Sequence, residues 1–355
     1  MREKKSGSGA ARLKFPFDGL PESGQATEVA PGVLWLRMPL PYALNHINLW
    51  AIKDGDGWAV VDSGVNTPET VAAWRSVISG PFGGQPITRV ICTHMHPDHV
   101  GMAGWLTRRF KCPLYMTRLE YLTCRVLVAD TGREAPEEAI RFYRSAGWSE
   151  ESIQDYRARF GGFGRDIHAL PESMERLSDG QLLTIGDSDW QIVVGNGHSP
   201  EHACLYNPTL KLLISGDQVL PRISSNVSVF PTEPHADPLD DWIRSIAKIR
   251  AQVPDDVLVL PSHNEPFYGL HARLDALDRG HHVALDRLCK RLDEPRLLVD
   301  TFVALFGRKI EGESGLLGMA TGEARAHVNH LLRRGQITER LDDAGLAWYA
   351  LAATT

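Results

Sequence analysis

Six consecutive residues, His94-Met95-His96-Pro97-Asp98-His99, constrain this chain more than any other feature. They follow a short, continuously apolar run, RVICT, which reads as a buried strand. On an extended chain, side chains two apart project to the same side, so His94 and His96 can grip one cation together. Pro97 then bends the chain, which lets Asp98 and His99 face a second cation close by. Imidazole and carboxylate are the donors that a borderline ion such as zinc takes when no thiolate is offered. A lone histidine at a strand end is ordinarily structural. Three histidines and an aspartate within six residues point to metal instead.

One loop cannot surround two ions, and further donors follow other β-like runs. His198 stands after WQIVVG, Asp217 after KLLIS and His263 after VLVLP, each reached through a small residue or a short turn. Asp62 takes the same kind of place in VVDSG. Strands ending on a common sheet edge would gather all of these side chains into one pocket.

These segments resemble the motifs of the metallo-β-lactamase superfamily. HMHPDH matches its HxHxDH signature, and VVDSG, GNGHSPEH, SGDQ and PSHNEP resemble its other motifs in the right order, over about residues 30 to 275. The resemblance implies an α/β fold, a four-layer αββα sandwich with metals at one edge of two sheets. It implies that His94, His96 and His198 bind one ion, that Asp98, His99 and His263 bind a second, and that Asp217 bridges them. Asp62 matches a residue that orients the ligands and their loop. Two divalent ions are implied, zinc first, with manganese or iron also compatible with this donor set. The implied chemistry is hydrolysis by a metal-bridging hydroxide, with Asp98 as the catalytic residue that moves a proton, Asp217 being the other candidate for that step.

Elsewhere, INLWAIKDGDGWAVVDSG reads as two strands joined by a glycine-containing turn, and TPETVAAWRSVIS as a helix capped by Thr67. The spacing from His99 to His198 is 99 positions, and residues 117–175 fill it with three helical patterns and no strand pattern. As a cover over the pocket, this insertion would offer Val126, Leu127, Phe142, Tyr143, Tyr156 and Phe160 as lining, although simple packing explains each of them as well. Residues 298–355 read as two helices and a hairpin, a small winged-helix-like module. Its six basic against seven acidic residues favour packing or dimerisation over DNA binding. The expected division is a flexible tail over 1–28, a metallo-β-lactamase domain over 29–297 and this module.

Composition narrows the function. The 355 residues carry a formal charge of -6, which gives no footprint for nucleic acid or anionic lipid. No apolar run is long enough to span a bilayer, and the basic start lacks the apolar segment of a signal peptide. The five cysteines form no CxxC pair, so a reducing cytoplasm is the default expectation. We expect a small-molecule substrate, no nucleic acid or membrane partner, and a homodimer as an option.

An acidic bridging residue such as Asp217 resembles the thioesterase, lactonase and phosphodiesterase branches rather than the β-lactamases. The leading expectation is cleavage of an ester, thioester or lactone. The alternatives are a phosphodiesterase or endoribonuclease, a mononuclear iron persulfide dioxygenase, and a β-lactamase. His202, four residues after His198, could reach the pocket, though a supporting or surface role suits it better than ligation; Arg222, Asn226 and His235 could come near substrate, a plain Pro-rich connection being the equal alternative. His271, His281, His282, His327 and His330 fall on amphipathic helices and read as solvated or structural.

Overall fold

A computed structural model describes residues 13–42, 44–310 and 314–353. Seven strands form the first sheet, in the order β1 (Ala26–Ala30), β2 (Val33–Pro39), β3 (His46–Asp54), β4 (Gly57–Val61), β5 (Ile87–Ile91), β6 (Leu114–Thr117) and β7 (Glu175–Leu177). Its first four strands are antiparallel and the rest run parallel. The β3–β4 turn falls at Gly55-Asp56, where Gly55 has φ of 57°, a conformation that costs glycine little. The second sheet has the order β12-β11-β10-β9-β8, from β8 (Leu182–Ile185), β9 (Ser188–Gly195), β10 (His202–Asn207), β11 (Leu212–Gly216) and β12 (Leu258–Pro261).

Period-two alternation explains how these sheets stack. In β3, Trp50 and Ile52 face the second sheet and meet Trp190, Ile192, Leu205 and Ile214 in an inner core. Leu49 and Ala51 face the other way and pack under helices. Strands apolar on both faces require cover on both. On the first sheet the cover comes from α1 (Pro68–Ser79), capped by Thr67 as expected, and from α3 (Ala103–Phe110), which follows the four-residue α2 (Pro97–Val100). Between the adjacent strands β6 and β7 runs an excursion of three helices, α4 (Arg118–Ala129), α5 (Glu137–Ser145) and α6 (Glu150–Arg159). The second sheet is covered by α7 (Pro238–Gln252) and α8 (Leu270–Arg291). The order helix, sheet, sheet, helix is the expected αββα sandwich.

The C-terminal segment contains β13 (Arg296–Leu297), α9 (Phe302–Phe306), α10 (Ser314–Arg333), β14 (Ile337–Leu341) and β15 (Ala347–Leu351), with a sheet in the order β13-β15-β14. Helix α10 begins before the expected GEARAH stretch and carries Gly322 in its interior. A Cβ there would meet Ser228 Oγ at 2.7 Å, so glycine lets the helix lie against the loop after Asp217.

Two expectations change. Residues 1–12 lie outside the described residues, but 13–28 are not a loose tail. Lys14 and Tyr268 exchange backbone hydrogen bonds of 3.1 and 2.8 Å, Phe15 packs on Phe267, Phe17 on Trp35, and β1 starts at Ala26. Leaving the two phenylalanines in water would forfeit their burial. Helix α7 is an addition to the expected elements. Asp237 caps it, Pro238 opens it, and Leu239, Trp242, Ile246 and Ile249 form its buried stripe.

Candidate metal centre

The parallel strands of both sheets end on one edge, and the candidate donors stand just beyond them. Asp62 follows β4, the His94–His99 loop follows β5, His198 follows β9, Asp217 follows β11 and His263 follows β12. All seven proposed ligands come together. His94, His96 and His198 form one group with donor atoms within 4.8 Å, and Asp98, His99 and His263 form another. Asp217 lies between them. Its Oδ2 is 3.5 Å from His198 Nε2, and its Oδ1 is 3.6 Å from His99 Nε2 and 3.5 Å from His263 Nε2. Asp98 Oδ2 is 3.4 Å from His263 Nε2 and 3.6 Å from His99 Nε2.

Those separations are longer than hydrogen bonds. Two donors about 2.1 Å from a common ion at a tetrahedral angle sit roughly 3.4 Å apart. The ring orientations agree. Nδ1 of His99 faces Asp62 Oδ2 at 2.8 Å, Nδ1 of His198 faces the Asn226 carbonyl at 2.7 Å, and Nδ1 of His263 faces the His46 carbonyl at 3.0 Å. An acceptor at Nδ1 places the hydrogen there and leaves the Nε2 lone pair aimed inward. Buried His99 Nε2, His198 Nε2 and Asp217 Oδ1 have no hydrogen-bond partner. Orphaned atoms gathered on either side of the Asp217 carboxylate fit bound cations.

The electrostatics point the same way. Burial drives His94 well below its ordinary pKa, helped by the surrounding imidazoles, and holds His96 down to about 3. Neutral imidazoles are the form a metal requires. At His99 burial is outweighed by the charges of Asp98, Asp62 and Asp217, which raise its pKa well above the ordinary value. That half of the pocket therefore attracts positive charge.

Thr93, Gly216 and Asn48 shape the centre without a sequence signature, and His202 takes the supporting role that the sequence suggested for it. Thr93 donates its amide to Asp62 Oδ1 (2.8 Å) and its hydroxyl to Asp62 Oδ2 (2.9 Å), and the same hydroxyl meets His94 Nδ1 at 3.0 Å. His202 is fully buried, and its Nε2 accepts from the Asp217 amide at 3.0 Å, so it supports the site from behind. Gly216 makes that contact possible, because a Cβ there would meet His202 Nε2 at 2.4 Å. Asn48 donates to the carbonyls of Pro261 and Asn264 and so braces the His263 loop.

The remaining candidates separate. Leu127, Tyr156 and Phe160 border a cavity of about 610 Å³ beside Pro97. Phe142 and Tyr143 instead pack in the core shared with the C-terminal helices, and Val126 is exposed on α4. Arg222 is engaged with Glu265 by two 3.0 Å contacts and lies over Phe15. His235 lines a different cleft, with Phe142 and Arg325. His281, His327 and His330 are buried and structural, His271 contacts the Val253 carbonyl, and His282 is exposed beside Asp278.

Asn226 matters through its backbone, and its side chain ties the loop to α10 by donating to Glu323 Oε2 at 2.8 Å. Burial pushes the Glu323 carboxyl up to about 7. A carboxyl raised on folding stabilises most below its unfolded pKa, and that contribution is lost as pH rises through about 7. Between pH 5.5 and 8 the wild-type protein should therefore lose about 2 kcal/mol relative to Glu323→Gln. Urea unfolding of both metal-free proteins at the two pH values measures this, and equal losses would contradict it.

A family model described as Metallo-beta-lactamase superfamily matches residues 43–263, and one described as Metallo-beta-lactamase-like, C-terminal domain matches residues 285–352. A solved beta-lactamase domain protein from Burkholderia ambifaria superposes with a TM-score of 0.87 at 36% identity, over 96% of this chain and 98% of that one. The probable metallo-hydrolase YqjP of Bacillus subtilis (strain 168) is 22% identical over 86% of this chain and 94% of its own length. The acyl-coenzyme A thioesterase MBLAC2 of Gallus gallus is 23% identical over 66% of this chain and 79% of its own. This chain is a member of the metallo-beta-lactamase superfamily, with the side chains of a metal-dependent hydrolase gathered at one edge of its sandwich.

Proposed function

We propose that the protein is a two-metal hydrolase of an ester, thioester or lactone bond in a small molecule, with a thioester as the first candidate. The observation that carries this reading is the carboxylate of Asp217, which turns one oxygen toward each ligand group beside the orphaned nitrogens of His99 and His198. His94, His96 and His198 would hold one divalent ion, Asp98, His99 and His263 the other, with zinc the first choice. A bound pair would polarise the scissile carbonyl and bring a shared water within reach of ionisation near neutral pH.

The chain's own residues supply the rest. Asp62, Asn226 and His46 fix the three rings whose Nε2 atoms face the ions. Asp98 is the more exposed of the two carboxylates among the proposed ligands, its side chain at 18% against 10% for Asp217, which suits it to carry a proton to the leaving group. Burial pushes its carboxyl up, but the neighbouring His99 and His263 hold it below its ordinary pKa, so it stands ionised near neutral pH.

The thioester preference is supported by the Gallus gallus relative and by the partly apolar cavity beside Pro97. The charge of -6 argues against a polynucleotide substrate. All five cysteines are free, in keeping with a reducing cytoplasm, and among the described residues no helix is long and apolar enough to cross a membrane. The helical excursion and the C-terminal segment offer faces for a homodimer.

The test is a panel of acyl-CoA, lactone, β-lactam and phosphodiester substrates on zinc-reconstituted protein, with His96→Ala as the blank. Thioester or lactone turnover absent from the blank is the expected result. Turnover of the phosphodiester alone, or one iron per chain with Asp217 and His263 not coordinated, would refute the proposal.

A further inference from the structure

We infer that Glu120 is a positioning residue for the metal centre: its carboxylate ties the loop carrying His94 and His96 to the loop carrying His198. The inference rests on the metallohydrolase reading. Glu120 lies in the first turn of α4 and is fully buried. Its Oε2 accepts from the Met95 amide at 2.9 Å, and its Oε1 accepts from the Glu201 amide at 2.7 Å. Met95 sits between His94 and His96, and Glu201 sits three residues after His198. One rigid three-atom group thus joins the two loops that furnish the three-histidine set. The rings it brings together are close: His96 and His198 have centroids 4.7 Å apart, and His94 and His198 5.0 Å.

The link is reinforced by an exchange between two glutamates. Glu201 returns the contact, its Oε2 accepting from the Leu119 amide at 2.9 Å and its carbonyl accepting from Thr117 Oγ1 at 2.8 Å. A glutamate in a first helical turn ordinarily serves its own helix end. Here the helix end is served by Glu201, and Glu120 is left to reach the metal loops. Burying a carboxylate is costly unless its oxygens are satisfied by strong donors. Burial accordingly pushes Glu120 up, while its amide donors act to lower it.

Metal sites tolerate ligand displacements of only about 0.2 Å, so the spacing between two loops is a determinant of affinity. Glutamine at this position keeps the shape but can accept only one of the two amides. Its own NH₂ would face the other N–H, and one loop would be released. The effect should fall on the ion held by His94, His96 and His198, because His99 and His263 of the other group are oriented through Asp62 and His46 instead.

Zn²⁺ binding to wild type, Glu120→Gln and Glu120→Ala, measured by competition with a chromogenic chelator, tests this. Visible absorption of the Co²⁺-substituted proteins reports which coordination sphere changes. Wild type should bind two ions. The variants should bind one of them roughly 10- to 100-fold more weakly, with the other changed less than about threefold. Glu120→Gln should keep the circular dichroism of wild type and lose only a few degrees of metal-free melting temperature, the cost of about one unsatisfied amide. Two ions bound at wild-type affinity in both variants would overturn the inference. So would equal weakening of both ions, or failure of both metal-free variants to fold, since either marks general structural support. A wild-type protein that binds a single ion would refute the two-metal reading, while the effect of Glu120 on that ion could still be read.

Discussion

Asp217→Asn should fold normally and yet lose one bound zinc ion, with kcat/KM falling by roughly three orders of magnitude. Asparagine keeps the size of the side chain but supplies one oxygen donor rather than two and removes a negative charge from between two cations. A thousandfold loss corresponds to about 4 kcal/mol of transition-state stabilisation, in the range expected when a metal that polarises the reacting group is lost. The fold should survive because the local structure depends on the Asp217 backbone. Its amide donates to His202 Nε2 at 3.0 Å, and its carbonyl accepts from the Ser225 hydroxyl. Metal analysis after gel filtration, together with kinetics on the substrate found in the panel, makes the measurement. An asparagine variant with two ions and kcat/KM within tenfold of wild type would remove Asp217 from the space between the metals.

The comparison with Asp98→Asn separates holding metal from moving a proton. Asp98 also belongs to one ligand group, but the amide oxygen of asparagine can replace its single close oxygen there. If Asp98 carries the proton, the variant should keep both ions and lose turnover, with the loss greatest for poor leaving groups. Full activity with both ions present would transfer that role elsewhere.

The donors of the centre were legible in the sequence because metal binding demands particular residue types, and those types stand out at the ends of apolar runs. The αββα layering came from the family resemblance, and the strand patterns are in accord with it. Runs such as LWAI in β3 are apolar on both faces, and such strands need cover on both sides. What escaped was the apparatus that aims the donors. His198 and His263 are oriented by the carbonyls of Asn226 and His46, and every residue has a carbonyl. Thr93 and Glu120 act through contacts that exist only after two sheets and a distant helix come together. Helix α7 was hidden by the Pro-rich stretch before it, although Asp237-Pro238 marks its start. The segment 13–28 looked like a tail because its anchors, Phe267 and Trp35, lie far away or in another strand.

Asp62→Ala should damage stability and metal binding at once, and the two effects can be separated. The Asp62 side chain is 1% exposed and receives the Thr93 amide, the Thr93 hydroxyl and His99 Nδ1. Alanine would leave these three donors buried without an acceptor, a loss on the order of 3–5 kcal/mol. The backbone adds to it, because Asp62 has φ of 65°. Aspartate tolerates that left-handed conformation better than alanine does, by about 1 kcal/mol. Asp62→Gly relieves the backbone strain without restoring the acceptor. In chelator, glycine should therefore be more stable than alanine by about 1 kcal/mol, while both remain well below wild type. Zinc affinity should respond differently. It depends on the His99 tautomer and not on the backbone, so both variants should bind the ion at Asp98, His99 and His263 roughly 10- to 100-fold more weakly, and to the same extent. If the glycine variant recovered wild-type zinc affinity, Asp62 would act through the shape of its turn and not through the hydrogen bond to His99.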